Sequence, residues 1–153
     1  VQGRGRVEPM TPQVGSGRLY APDVFAALRK EAKSLWGSPV YVAEPPNPRP
    51  DGVFAVFTPS GGAEGSPAHG QRAFIADVWG STAQDAYNAA EMLRGALRSI
   101  VNQEILVSNG QPVLVYGVEP VGGVVWMPDP DDKIPRFRMN FTVTYRNTQI
   151  DQL

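Results

Sequence analysis

The stretch DVWGSTAQDAYNAAEMLRGAL, residues 77–97, joins a strand to a helix with no loop between them. Residues 71–79 carry β-branched and aromatic side chains, which predicts a strand that ends at Trp79. Ser81 is then a candidate N-cap, and Gln84, three residues later, completes a capping box. Apolar side chains follow at helical spacing, at Ala86, Ala90, Leu93, Leu97 and Ile100. The stretch therefore predicts a strand followed directly by a long helix, whose small side chains let it lie close on a sheet.

The rest of the chain predicts one more main helix and several further strands. Residues 22–37 have the periodicity of a helix, with Asp23 as its N-cap and Gly37 at its end. Strands are predicted over 39–43, 53–59, 71–79, 112–120 and 136–146. The last strand is the clearest, because apolar and polar residues alternate strictly along it. We expect its apolar side chains to be buried against the helices, namely Phe137, Met139, Phe141, Val143 and Tyr145.

The order of these elements predicts the fold class. Successive strands with turn-rich connections are typical of an antiparallel meander. We therefore expect an α+β fold, with a mostly antiparallel sheet of four to five strands and two main helices packed on one face. Residues 1–21 lack apolar periodicity and predict a flexible N-terminal arm, residues 22–147 a single α+β domain, and residues 148–153 a C-terminal tail.

The composition argues against several kinds of protein. The chain has 153 residues, which suits one domain, and its formal net charge of −1 gives no strong field for nucleic acid or anionic membranes. The absence of cysteine excludes disulfides, thiol catalysis and thiolate metal sites. No apolar run approaches the roughly 20 residues that a membrane-spanning helix needs, and no signal peptide is recognisable. We expect a soluble protein.

Metal sites are not indicated by the sequence. The single histidine, His69, lies in the glycine-rich segment 60–70, without further ligands at a suitable spacing, and is interpreted as an exposed loop residue. Asp129, Asp131 and Asp132 lack the pattern of a calcium-binding loop, so we interpret them as a solvated turn.

Catalytic patterns are absent as well. The glycine-rich segments lack the Lys-Ser/Thr pair of a phosphate-binding loop, and Ser81 does not lie in a G-x-S-x-G motif. Asp77, Glu44 and Glu119 would form an acid–base pair only if the fold brought them together. We therefore expect no enzymatic activity and no cofactor.

The loops are long for a domain of this size, which indicates contact surfaces. The polar face of residues 136–146 carries three arginines and no acid, so we expect Arg136, Arg138 and Arg146 to face solvent, a channel or a neighbouring subunit. The other interface candidates are Glu64, His69 and Arg72.

Residues 23–146 resemble the tail-terminator proteins of long-tailed bacteriophages, the minor-tail or tail-completion family. Four features carry the resemblance in this order: a first helix followed by VYVAEPP and VFAVFTP; a strand ending IADVWG that passes directly into STAQDAYNAAEMLRGAL; a variable section with MPDPDD; and the alternating strand RFRMNFTVTYR. The match is a pattern of order and character rather than an invariant motif. The proline-rich loop 44–52 and the N-terminal arm depart from the pattern.

The resemblance implies a structural role in a virion. In this family the strand–glycine–helix joint is a rigid corner of a wedge, and wedges close into a hexameric ring on the last ring of the tail tube. The ring stops tube growth and presents a surface to the head. The implied partners are other copies of the chain, the tail tube protein and the head–tail connector or stopper, while DNA passes through the ring without sequence-specific binding. The implied location is the tail or neck of a virion assembled in the bacterial cytoplasm.

Two other interpretations remain open from the sequence. Another neck or tail component, such as a head–tail connector or a tube protein, would share the structural role, but a tube protein should be richer in strands. A small ligand-binding or enzymatic α+β domain would need a concave pocket with convergent polar groups.

Overall fold

A seven-stranded sheet forms the centre of the fold in the computed structural model. The structure describes residues 19–63, 65–107, 110–131 and 134–149. The elements are β1 (Leu19–Tyr20), α1 (Val24–Trp36), β2 (Val40–Val42), β3 (Phe54–Gly61), β4 (His69–Trp79), α2 (Ala83–Arg98), β5 (Val101–Leu106), β6 (Pro112–Pro120), β7 (Val125–Trp126), β8 (Arg136–Arg146) and β9 (Thr148–Gln149).

The strand order in the sheet is β2-β3-β4-β8-β6-β5, and β7 pairs with the first residues of β8. All neighbours are antiparallel except β2 and β3, which are parallel. The sheet curls into a half-barrel. The prediction of a mostly antiparallel sheet of four to five strands is therefore wrong, because the sheet is mixed and has seven strands.

Two physical features explain this difference. The proline-rich connection between β2 and β3 is long enough to return the chain to the starting end of β2, so β3 runs parallel to it instead of turning back as a hairpin. β5 is an edge strand whose side chains are exposed except for Ile105, so it lacks the alternation that identifies a half-buried strand. β7 has only two residues and is recognisable only by its pairing with β8.

The main core lies between the helices and one face of the sheet. The alternation predicted for 136–146 is confirmed at Met139, Phe141, Val143 and Tyr145, which are all buried in this core. Phe137 is only half-buried, because it lies at the margin of the core. The remainder of the core consists mainly of aliphatic and aromatic side chains from β3, β4, β6 and both helices.

The first helix has the predicted ends. The Asp23 side chain accepts a hydrogen bond from Ala26 N at 3.1 Å, which satisfies one free amide of the first turn. Gly37 ends the helix in the left-handed conformation, with φ of 90°, and its amide donates to Lys33 O.

The joint between β4 and α2 differs from the prediction by one residue. Thr82, not Ser81, is the N-cap, and its Oγ1 accepts from Asp85 N at 3.1 Å. The predicted capping box does not form, because the Gln84 amide donates to Asn88 Oδ1 instead. Gly80 is buried, and a Cβ on it would lie 2.7 Å from Ala86 N. The glycine thus permits the first turns of α2 to pack directly against the end of β4.

The segments at the two ends of the described chain pair with each other. Leu19 lies opposite Gln149 and Tyr20 opposite Thr148 in a separate two-stranded sheet. These residues fall inside the predicted arm and the predicted tail. The predicted division of the chain stays a prediction, since most of both segments, 1–18 and 150–153, lies outside the described residues.

Candidate assembly surfaces

The predicted arginine face is on β8, but Arg138 on this face forms an ion pair within the same chain. β4 and β8 place Asp77 opposite Arg138, and the guanidinium binds both carboxylate oxygens, at 2.8 and 3.1 Å. The hydrogen bond to Asp77 raises the pKa of Arg138. Asp77 itself is buried, with 6% of its surface exposed. Arg138 therefore has an acidic partner from the adjacent strand, and its side chain is 30% exposed. Its contact with a channel or a neighbouring subunit stays a prediction.

A second group of side chains surrounds Trp79 on the sheet face opposite the helices. The guanidinium of Arg136 lies 5.5 Å from the Trp79 ring centre and that of Arg49 lies 5.9 Å from it. Arg136 Nε also donates to Met127 O at 2.8 Å, and Trp79 Nε1 donates to Asp129 Oδ2 at 3.1 Å. These contacts hold the connections before β3 and before β8 against the sheet, over a small apolar cluster.

Asp129 is the buried acid of this group. Its side chain is 3% exposed and forms an ion pair with Arg49. Burial by itself would raise the pKa of Asp129, but hydrogen bonds from Asp131 N and Trp79 Nε1 and the charge of Arg49 outweigh burial, so that its pKa is lowered. The interpretation of this segment as a solvated turn is wrong for Asp129. It holds for Asp131, which is 78% exposed, while Asp132 lies outside the described residues.

The remaining predicted interface residues lie at the other end of β8. Arg146 is exposed and lies opposite His69 in the β4–β8 register. His69 begins β4 and is half-buried, with Ser66 Oγ 2.8 Å from its Nδ1, so its interpretation as an exposed loop residue is wrong. The glycine-rich segment extends both neighbouring strands beyond the predicted ends, which is why the histidine joins the sheet.

Arg72 and Glu64 complete the predicted set. The Arg72 guanidinium lies 5.6 Å from the centre of the Tyr145 ring, on the helix side of the sheet, and Nη1 donates to Gln71 O. Glu64 lies outside the described residues. The predicted residues therefore do not form one site: Arg136 and Arg138 lie at one end of β8, and Arg146 and His69 at the other.

Sequence reasoning missed an exposed aromatic surface, here called the aromatic ridge, formed by Tyr87, Trp126 and Phe137. The Trp126 and Phe137 ring centres are 5.0 Å apart, and those of Tyr87 and Phe137 are 5.5 Å apart. Trp126 is 50% exposed and Tyr87 is 40% exposed. The Tyr87 hydroxyl donates to Glu91 Oε2 at 2.9 Å, and this hydrogen bond raises the pKa of the phenol.

An apolar groove lies between the end of α1 and the first half of α2, and was missed as well. Its volume is about 260 Å³, and it is lined by Trp36, Ser38, Val53, Asp85, Asn88, Ala89 and Met92. Trp36 Nε1 donates to Ala89 O at 3.0 Å, which fixes the indole as one wall. Met92 is 65% exposed. The signal for both surfaces is present in α2, where Tyr87 and Met92 are large apolar residues off the predicted buried stripe.

The described residues offer little for other kinds of site. Within 19–63, 65–107, 110–131 and 134–149, no three His, Cys, Asp or Glu residues lie close enough to hold a metal ion. In the same ranges, no helix has both the length and the apolar character needed to cross a bilayer. A polar cleft of about 130 Å³ lies beside Arg146 and Glu104.

Comparisons with known proteins find a structural likeness to a chain of a virion particle. No model of a protein family matches the chain, and no curated protein matches it. The chain is similar in structure to a chain of the virion of a native gene transfer agent (GTA) particle, with a TM-score of 0.53 and 19% sequence identity. The likeness covers 79% of this chain and 92% of that chain. At this identity it shows the fold, which this chain therefore shares with a component of a virion particle.

Proposed function

We propose that this protein is a structural component of a phage or phage-like virion. In this proposal a ring of copies caps the head-proximal end of the tail tube, stops its growth and provides the surface that joins the head. The observation that carries the proposal is the shared fold with a chain of the gene transfer agent virion, which extends over nearly all of that chain. The order of sequence features that resembles tail terminators supports the finer role.

The distribution of rigid and exposed parts supports an assembly role. The close packing of Gly80 on Ala86 and the pairing of Asp77 with Arg138 hold α2 and the central strands in one arrangement. The aromatic ridge and the apolar groove remain exposed on this frame. Exposed apolar side chains that lie next to one another are a common feature of surfaces that contact another protein. A structural role requires no catalytic group, and we propose none.

Deletion of the gene from its phage or phage-like particle tests the proposal. We expect tails of uncontrolled length, or tails that fail to join heads, in electron micrographs of the lysate. Expression of the wild-type protein from a plasmid should restore joined tails of uniform length, which controls for effects on neighbouring genes. Joined tails of normal length in the deletion strain would contradict the proposed role.

The second candidate is another neck or tail component, because the virion likeness does not distinguish positions along the particle. A tube protein would polymerise into long tubes when purified, whereas a terminator would form closed rings, and negative-stain microscopy separates the two. A ligand-binding domain is less well supported, since the apolar groove of about 260 Å³ and the polar cleft of about 130 Å³ are both smaller than the roughly 300–1,000 Å³ of typical ligand pockets.

A further inference from the structure

The aromatic ridge and the apolar groove lie on opposite flanks of α2. Ala86, Ala90, Leu93 and Leu97 form its buried stripe. Tyr87 lies to one side of this stripe, next to Phe137 of β8. Asp85, Asn88 and Met92 lie to the other side, facing α1, since residues three, four and seven apart share a helix face. One subunit therefore presents an apolar projection on one side and an apolar recess on the other.

We propose that the aromatic ridge of one copy of this chain inserts into the apolar groove of the next. The inference rests on the proposed ring and specifies the contact that builds it. Because two different surfaces meet, the contact is heterologous, and a dimer still has one free ridge and one free groove. Assembly consequently continues until a ring closes, or into an open filament if the rotation between copies does not close.

The charges beside the two surfaces are complementary. Among the residues lining the groove, Asp85 is the one formal charge. On the ridge flank, helical spacing places Arg94 and Arg98 in line with Tyr87, and the acid there, Glu91, is hydrogen-bonded to the Tyr87 hydroxyl. The ridge side therefore has excess positive charge and the groove side negative charge, which favours approach of one to the other and disfavours groove-to-groove pairing.

The size of the surfaces predicts a weak individual contact. An aromatic side chain buries about 150–250 Å² when fully covered, and the ridge exposes about half of Trp126 and less than half of Tyr87. This is well below the roughly 800 Å² per partner of a standard stable interface. Each copy in a closed ring makes two such contacts, so a closed ring is more stable than two copies held by a single contact. We expect assembly of the purified chain to depend steeply on its concentration.

Two substitutions in the full chain test the proposal by analytical ultracentrifugation up to about 1 mM. Trp126→Asp damages the ridge and keeps the groove, while Met92→Asp damages the groove and keeps the ridge. Each variant alone should associate at least about tenfold more weakly than the wild type. An equimolar mixture should form dimers and nothing larger, because one intact ridge then meets one intact groove. A ridge-to-ridge or a groove-to-groove contact would not give recovery of dimers on mixing.

The matched control is Leu106→Asp, which places the same charge on a side chain that is 56% exposed on β5, an edge strand that contributes no residue to the ridge or to the lining of the groove. It should associate like the wild type. Thermal melts of all variants establish whether they remain folded. If Trp126→Asp does not fold, Tyr87→Ala serves as a milder ridge variant.

Cross-linking gives an independent readout, because the chain has no cysteine of its own. Arg94→Cys on the ridge flank and Ser38→Cys in the groove, placed in one chain, should give a ladder of oligomers with a short bis-maleimide, and either cysteine alone should not.

A wild-type chain that stays monomeric at the highest concentration and gives no ladder would overturn the proposal. Assembly that survives both aspartate substitutions would do the same. Neither result affects the deletion phenotype that tests the proposed function.

Discussion

Replacement of Gly80 by alanine tests whether the joint between β4 and α2 is as close as the structure indicates. The added Cβ would lie 2.7 Å from Ala86 N and 2.9 Å from Ala86 Cα. Both are backbone atoms in the first turns of α2, so relief requires the helix to move away from the end of the sheet. A flexible side chain could rotate away, but backbone that is hydrogen-bonded within a helix cannot.

The expected cost follows from two opposing terms. Overpacking of a close contact typically costs about 1–3 kcal/mol. Alanine in place of glycine also restricts the unfolded chain, which stabilises the fold by about 0.4–1 kcal/mol. We therefore expect Gly80→Ala to lower the free energy of unfolding by about 1–2 kcal/mol, and the melting temperature by about 2–8 °C for a chain of this size.

Gly95→Ala is the matched control, because the same atom is added within the same region of the fold. Gly95 is exposed within α2, and nothing lies within 4 Å of its added Cβ. Alanine is favoured over glycine inside a helix by about 1 kcal/mol, so this variant should be more stable than the wild type. Urea titrations at neutral pH, followed by circular dichroism, give both values. If Gly80→Ala proved as stable as the wild type, the close-packed corner would be refuted.

Three further predictions concern the sheet and its buried charges. Phe141→Ala, at a position 1% exposed, should lower the free energy of unfolding by about 3–5 kcal/mol in urea titrations, and an unchanged midpoint would contradict its place in the core. Asp77→Asn should lower the free energy of unfolding by about 1–2 kcal/mol, because Arg138 loses its carboxylate partner but remains partly hydrated. An effect no larger than that of the same substitution at an exposed aspartate would show that the pair is not formed. Since the folded-state pKa of Asp129 is below its ordinary value of 3.8, its contribution to stability is present above that pH and is lost as the pH falls through the lowered pKa. Urea midpoints should therefore fall more steeply below about pH 4 in the wild type than in Asp129→Asn, and parallel curves would argue against the ion pair.

The arginines of β8 show where sequence reasoning about a surface fails. Strict alternation correctly placed their side chains on the face opposite the helices. It did not reveal that Asp77 would lie opposite Arg138, because this depends on the pairing of β4 with β8, two strands separated by α2, β5, β6 and β7. Likewise, Trp79 receives the guanidinium groups of Arg49, from the connection before β3, and of Arg136, the first residue of β8. Long-range register is a property of the whole sheet and leaves no local signal.

The sequence by itself determined the local elements of this protein. Helical spacing and the caps at Asp23 and Gly37 specified α1, and the alternation of residues 136–146 specified β8 and its buried face. These features depend on neighbours within a few residues, where backbone geometry and side-chain periodicity are sufficient. The tertiary structure alone decided the parallel pairing of β2 and β3, the ion pair of Asp77 and Arg138, and the exposure of Trp126 and Met92 on opposite flanks of α2. Each of these depends on which distant segments meet, because burial and partnership are set by the packing of the whole sheet and not by the residues on either side.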